Sequence, residues 1–341
     1  KIDKSLFSQQ TLMELLIEGV TKNKARILGS NEGTSRIHDW KGVDFDDAGD
    51  VVTIFWRYLD LEGSIALEAL PSTVEKVEIS SNRLRGSVDL TRLPAVLVRF
   101  NMFDNSLEGD VNLTDLPVNL ESLSLSANRL TGSVKLTRLP LSLREIILGS
   151  NTLTGEIDLT KLPKRFEEVF LGENLLYGSI NLTRLPEAMC QLALYGNGFT
   201  GTIDLTLLPS SLMVLNISRN FLEGSIVLSC LPDDLSTLNL SINSFSGTID
   251  LSSLPKELEA LNLQKNRLTG SIDLTALPEV LESIDLSENM LTGHIDLTKL
   301  PTSLVKLHLR LNKGVSGVID PSVVPDDLDD IDVSCTEIHL P

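Results

Sequence analysis

His308 lies 23 residues after Asp285 and 24 before Asp332, and Ser287 and Ser334 each stand two residues beyond one of those acids. A Ser/His/Asp hydrolytic set can be drawn from these residues, but acyl transfer also needs an oxyanion hole and a pocket, and nothing in the chain supplies either. The expectation is a non-enzyme. The run from Asp44, DFDDAGDVVTIF, imitates the start of a calcium loop with Asp44, Asp46 and Gly49 in register. It fails at Ala48 and Phe55, which occupy the fifth and twelfth positions, so a solvated turn is expected there. Asp326, Asp327, Asp329, Asp330 and Asp332 form a dense acidic group near the C-terminus, where charge on a last strand discourages edge-to-edge pairing. No metal and no cofactor are expected.

What positions these residues is a repeat. Eleven asparagines from Asn82 to Asn312 fall 23 residues apart, each closing the phrase LxxLxLxxN, as in Leu120, Leu123, Leu125 and Asn128. The same stride carries glycines from Gly63 to Gly293 and prolines from Pro71 to Pro301. This resembles the leucine-rich-repeat signature, which implies a solenoid. The expected fold is a horseshoe of the α/β class with parallel strands on the concave face and little helix. Each LxL pair forms a short strand whose leucines point inward while the residue between them points to solvent. The Asn amide bonds backbone groups that would otherwise be buried unpaired. Gly lets the chain turn and approach closely, and Pro ends an extended outer segment. Thirteen turns are read, one strand each, from Ile54/Trp56 to Ile331/Val333. Leu59 and Thr336 replace Asn at the ends, and an extra residue follows Asn312. Two regions are expected: an N-terminal cap over residues 1–50 and the array over 51–341. In the cap, Leu12, Leu15, Leu16 and Val20 behind a Ser/Thr start predict one amphipathic helix.

The concave columns then single out candidate binding residues. Ile147, Phe170 and Ala193 run down the centre, with Gly149, Gly172 and Tyr195 in the next column and Val214 on the following turn. Phe103 precedes them in the Tyr195 column. In a chain with 4% aromatics, these residues predict an anchor site for a partner's apolar side chain, with the glycines clearing space. Later turns present Asn216, Asn239, Asn262 and Asp285, which read as ordinary solvated residues. Lys306, His308 and Arg310 form a basic stripe bounded by acidic turns, suited to cross-strand pairing or to an acidic contact.

Composition narrows the function. A net charge of −18 repels phosphate backbones and anionic membranes, so nucleic-acid partners are not expected. No apolar run is long enough to span a membrane, and no signal peptide is visible. The chain starts at Lys1 rather than Met, so removal of a leader or of a longer N-terminal part is an expectation. Cys190, Cys230 and Cys335 are odd in number and widely separated, favouring a reducing compartment. Sequons at Asn112, Asn181, Asn216 and Asn239 favour a secreted or cell-surface protein instead, though the repeat phrase itself generates such triplets.

Trp40, Gly42 and Val43, preceded by the helix and followed by an acidic turn and a strand, resemble the N-terminal cap of plant-type leucine-rich-repeat receptor ectodomains. In that family cysteines flank the Trp and form a disulfide; His38 and Phe45 stand in those places here. The LTGSI phrase is also similar to the plant type, whereas DLTxLP resembles repeat arrays of protist proteins. The resemblance implies a solenoid that binds or scaffolds a protein or peptide and says almost nothing of the ligand. The acidic surroundings of Phe170 and Tyr195 add the expectation of a partner carrying Lys or Arg around an apolar centre, and no catalysis is expected. The chain is read as a subunit of a larger assembly, with a ligand-binding ectodomain or the repeat region of a larger enzyme as alternatives.

Overall fold

The computed structural model describes residues 3–29, 35–320, 322 and 324–339. Ser8 opens the helix Gln9–Leu16 by accepting a hydrogen bond from the Thr11 amide, and Leu12, Met13 and Leu16 are buried beneath it. The helix is shorter than its apolar spacing suggests. Val20 starts an antiparallel strand, Val20–Lys22, paired with Glu62–Gly63. Gly19 makes this possible, since a Cβ there would lie 2.3 Å from the Ser64 hydroxyl. Around the second cap motif, the Trp40 indole donates to the Ser35 carbonyl and the Trp56 indole to the Lys41 carbonyl. Gly42 adopts φ +70°, where a side chain would strike the Phe55 carbonyl. His38 and Phe45 stack with ring centroids 4.3 Å apart and planes 6° apart, so an aromatic pair joins the positions that carry cysteines in the resembled family.

The chain forms two compact units, Lys1–Ile157 with Leu162–Leu175, and Asp158–Lys161 with Leu176–Pro341. In the first, the antiparallel strand Val43–Phe45 leads into parallel rungs at Val51–Phe55, Lys76–Glu78, Arg99–Asn101, Ser122–Ser124, Glu145–Ile147 and Glu168–Phe170. In the second, the rungs are Gln191–Ala193, Val214–Asn216, Thr237–Asn239, Ala260–Asn262, Ser283–Asp285, Lys306–His308 and Asp330–Asp332. Six and seven rungs match the thirteen LxL phrases, and Lys306 pairs with Asp330, so the extra residue after Asn312 is absorbed between rungs. The inward residues of the rungs, such as Leu238 with Leu240 just beyond it, are buried and stack into a column, and at the last rung Ile331 is half-buried.

Most of the repeat asparagines satisfy four backbone groups. Asn266 Nδ2 donates to the carbonyls of Leu240, Leu263 and Gln264, and its Oδ1 accepts from the Phe245 amide at 3.0 Å. Locking the amide just beyond the preceding turn's Asn has a consequence the one-strand reading does not contain. The segment after each Asn is itself a strand, and a second parallel ladder forms, with rungs such as Arg83–Ser87 and Ser106–Asp110 in the first unit and Arg267–Gly270 and Met290–His294 in the second. The glycine of this ladder has two reasons to be there. Gly224 sits at φ +85°, and a Cβ on it would meet the Thr202 methyl of the preceding turn at 2.8 Å.

The residue just before each Asn is left-handed whatever its type: Ala127, Glu173, Arg219, Lys265 and Leu311 all have φ between +52° and +61°, and so does the β-branched Ile242 at +55°. Beyond the second ladder, the outer segment turns on Asp-x-Thr. Asp204 Oδ1 accepts from both the Thr206 amide at 2.9 Å and its hydroxyl at 2.6 Å. The same turn recurs at Asp273/Thr275 and Asp296/Thr298.

Candidate functional site

On the LxL face, the two outward residues of a rung flank one buried leucine, and the outward residue at the strand's end has a structural option. Asn101 Oδ1 accepts from the Phe103 amide, Asn216 from Ser218, Asn239 from Ser241, Asn262 from Gln264, and Asp285 from Ser287, at 2.8–3.2 Å. These side chains fasten the bend two residues on. They are not the idle solvated residues their polarity suggests. Ile147 and Phe170 occupy the same column in the first unit and have no oxygen with which to make this bond. Both are half-buried, and they lie directly opposite one another on adjoining rungs.

The other end of those two rungs is acidic. Glu145 pairs in register with Glu168, and Arg99, Glu121, Ser122, Arg144 and Glu167 complete the lining of a cleft of about 240 Å³. Burial, then the charges of Glu145 and Glu167, push the Glu168 carboxyl above its ordinary range. Arg144 answers Glu167 at 3.0 Å and Ser122 donates to Glu145. Two carboxylates and two apolar side chains therefore share one face, each pair in register. Gly172 is buried, and a Cβ on Gly149 would come within 3.0 Å of the Gly172 carbonyl, so backbone approach accounts for that glycine. Phe103 is exposed in the first unit, two residues beyond the end of its rung.

In the second unit, Tyr195 and Val214 are half-buried on the LxL face and Ala193 is buried, leaving little of its methyl to a partner. The basic stripe is answered from within the fold. Lys306 Nζ and His308 Nδ1 both lie 3.5 Å from Asp285 Oδ2, and His308 Nε2 lies 2.7 Å from Asp330 Oδ1. The sequence places His308 between Asp285 and Asp332; Asp330 takes the second contact, while Asp332 Oδ1 accepts from the Ser334 amide. The Ser334 hydrogen bonds hold the Asp332 carboxyl below its ordinary value, with help from His308 and Arg310. Arg310 is exposed.

The remaining chemical groups serve the fold. Asp46 Oδ1 accepts from the Ala48 and Asp50 amides, closing the turn that imitates a calcium loop. Among the described residues, no group of three or more His, Cys, Asp or Glu side chains is placed to hold a metal ion, and no helix is long and apolar enough to cross a membrane. Asn112 and Asn181 are exposed and accept from the hydroxyls of Thr114 and Thr183, replacing Asp in the outer turn.

No protein-family model matches the sequence, and no characterised protein matches it either. Solved structures do. The chain is similar to that of PEPR1 in its crystal structure with AtPEP1, at 20% identity and a TM-score of 0.57 over 92% of this chain. The fold is a leucine-rich-repeat solenoid. The match covers 52% of the PEPR1 chain, so this chain spans about half the length of that relative. A plant ice-binding protein gives 20% identity and a TM-score of 0.55 over 84% of this chain and 88% of its own. The Arabidopsis receptor kinase HAESA ectodomain, solved with an extended IDA peptide hormone, gives 24% and 0.50 over 81% and 56%.

Proposed function

We propose that the chain is a non-catalytic, protein- or peptide-binding solenoid, and that the LxL face of its first unit takes a segment carrying a basic side chain next to an apolar one. The observation that carries this reading is the pair of rungs Glu145–Ile147 and Glu168–Phe170. They set like charges directly opposite each other, which costs stability, and place apolar groups where an Asn would tie the bend. A Lys or Arg between the two carboxylates relieves their repulsion, and an apolar neighbour covers Ile147 and Phe170. The IDA peptide hormone named with the HAESA structure supports a peptide ligand for this kind of solenoid. The stacked His38–Phe45 pair, which needs no oxidation, supports a subunit of a larger assembly in a reducing compartment over a secreted ectodomain. Tyr195 and Val214, with Lys306 and Arg310 further on, are a separate candidate patch on the second unit.

Peptide arrays varying a Lys/Arg-apolar core test the site. Phe170→Ser with Ile147→Ser should weaken the best binder by at least about 30-fold, roughly 2 kcal/mol. Unchanged affinity, with the fold intact, would remove the site from this face.

One observation favours a second reading. Just beyond the second-ladder strands of the second unit, Thr202, Ser225, Thr248 and Ser271 are exposed in one hydroxyl row, one residue per rung, and a similar plant structure is an ice-binding protein. Partitioning into slowly grown ice tests it: exclusion of the protein from the ice rejects this reading.

A further inference from the structure

The first unit carries a concentration of arginine that its acidic surroundings do not use up. Arg83 and Arg85 project from Arg83–Ser87, Ser106 and Glu108 from Ser106–Asp110, and Arg129 opens Arg129–Thr131, three consecutive rungs of the second ladder. With Glu62 they line a cleft of about 490 Å³. Arg83 is engaged, by Glu62 at 3.3 Å and Asp60 at 3.5 Å. Arg85 and Arg129 form no ion pair among the described residues and are exposed. In a chain of net charge −18, two unengaged guanidiniums facing one cleft are out of keeping with the rest of the surface.

We infer that this cleft binds a phosphate-sized oxyanion, held by Arg85 and Arg129 across the Ser106 hydroxyl. Ser106 is the register partner of Arg85, and Arg129 that of Glu108, so Arg85 and Arg129 stand two strand spacings apart and two residues apart along the strands, about 12 Å at their backbones. Side chains as long as arginine reach inward from both sides to meet over the middle strand. Guanidiniums donate in a planar fork, and the hydroxyl adds a third donor from below. Two forks and a hydroxyl offer about five donors from three strands, more than the roughly four lone-pair sites of a carboxylate, and suit a tetrahedral anion. Glu108 sets the limit on affinity, because its carboxylate shares the cleft. The anion is free phosphate or the phosphoryl group of a partner chain. This inference is independent of the LxL-face reading.

Calorimetric titration of the intact chain with inorganic phosphate, at constant ionic strength in chloride, tests it. Arg85→Gln with Arg129→Gln should weaken binding by at least about 30-fold, the scale of two charge-assisted contacts. Arg267→Gln, on the second ladder of the second unit, should leave it unchanged, and Glu108→Gln should tighten it. A phosphoserine peptide separates the sources: binding tighter than free phosphate identifies a phosphorylated partner, and equal or weaker binding the free ion. The absence of phosphate binding at millimolar concentration, or equal binding by the double variant with an unaltered circular dichroism spectrum, would overturn the inference.

Discussion

At the scale of single residues, stability follows what each side chain satisfies. Leu240→Ala opens a cavity in a fully buried column and should cost about 2–5 kcal/mol in chemical denaturation. Asn266→Ala strands three carbonyls and an amide, at about 1–3 kcal/mol. Asn262→Ala loses only the bond from Gln264 and should cost about 1 kcal/mol, more than its half-exposed position alone suggests. Ile242 is the opposite case. A β-branched side chain in the left-handed region is strained by roughly 1–2 kcal/mol, so Ile242→Gly should be neutral or stabilising despite the loss of side-chain surface; a loss above about 1 kcal/mol would show that the position is not strained. The Asn column and the inward leucines were legible from spacing alone, because both are dictated by one-dimensional periodicity. The bend-tying role of Asn101, Asn216 and Asn262 was not, since polarity on a strand face has the same appearance whether a side chain is solvated or bonded two residues on.

At the scale of the element, the Asp-x-Thr turns and the LxL rungs respond to pH with opposite signs. Hydroxyl and amide donors hold Asp204, Asp273 and Asp296 below the ordinary aspartate value of 3.8. Their stabilisation is present above that value and is lost as pH falls through the lower folded value, so acid unfolding should set in only below about pH 4. Glu168 is raised instead, by burial and then by Glu145 and Glu167. Above its ordinary value of 4.5 the unfolded chain releases this proton first, so the term destabilises the fold as pH rises through the interval between the two values. Glu168→Gln should therefore stabilise at pH 7 by less than about 1 kcal/mol, given solvent screening, and give no gain near pH 3. A midpoint shift that is the same at both pH values would contradict the assignment. The second ladder escaped sequence reading because its strands are short and glycine-bearing, features that mark turns when read locally. Neighbouring asparagines impose the strand, through a hydrogen bond 21 residues distant in sequence.

At the scale of the molecule, the α-helices among the described residues are Gln9–Leu16 and Ala25–Leu28, accompanied only by single 3-10 turns, and far-UV circular dichroism should show far less helix than the ~30% of an average globular protein. Solenoid class and turn number were legible because stacking makes the fold a repetition of one unit. The basic stripe was visible as a pattern suited to cross-strand pairing, while the partner that each side chain takes was not. Which acid meets His308 depends on side-chain geometry that no spacing encodes. Recognition by the rungs Glu145–Ile147 and Glu168–Phe170 is tested by a charge swap. Glu145→Lys with Glu168→Lys should leave the leucine column intact and exchange the preference of the face, so that a peptide array selects an acidic residue beside the apolar one in place of Lys or Arg. Retention of the basic preference by the swapped protein, or the absence of any charge preference in the native one, would contradict the account.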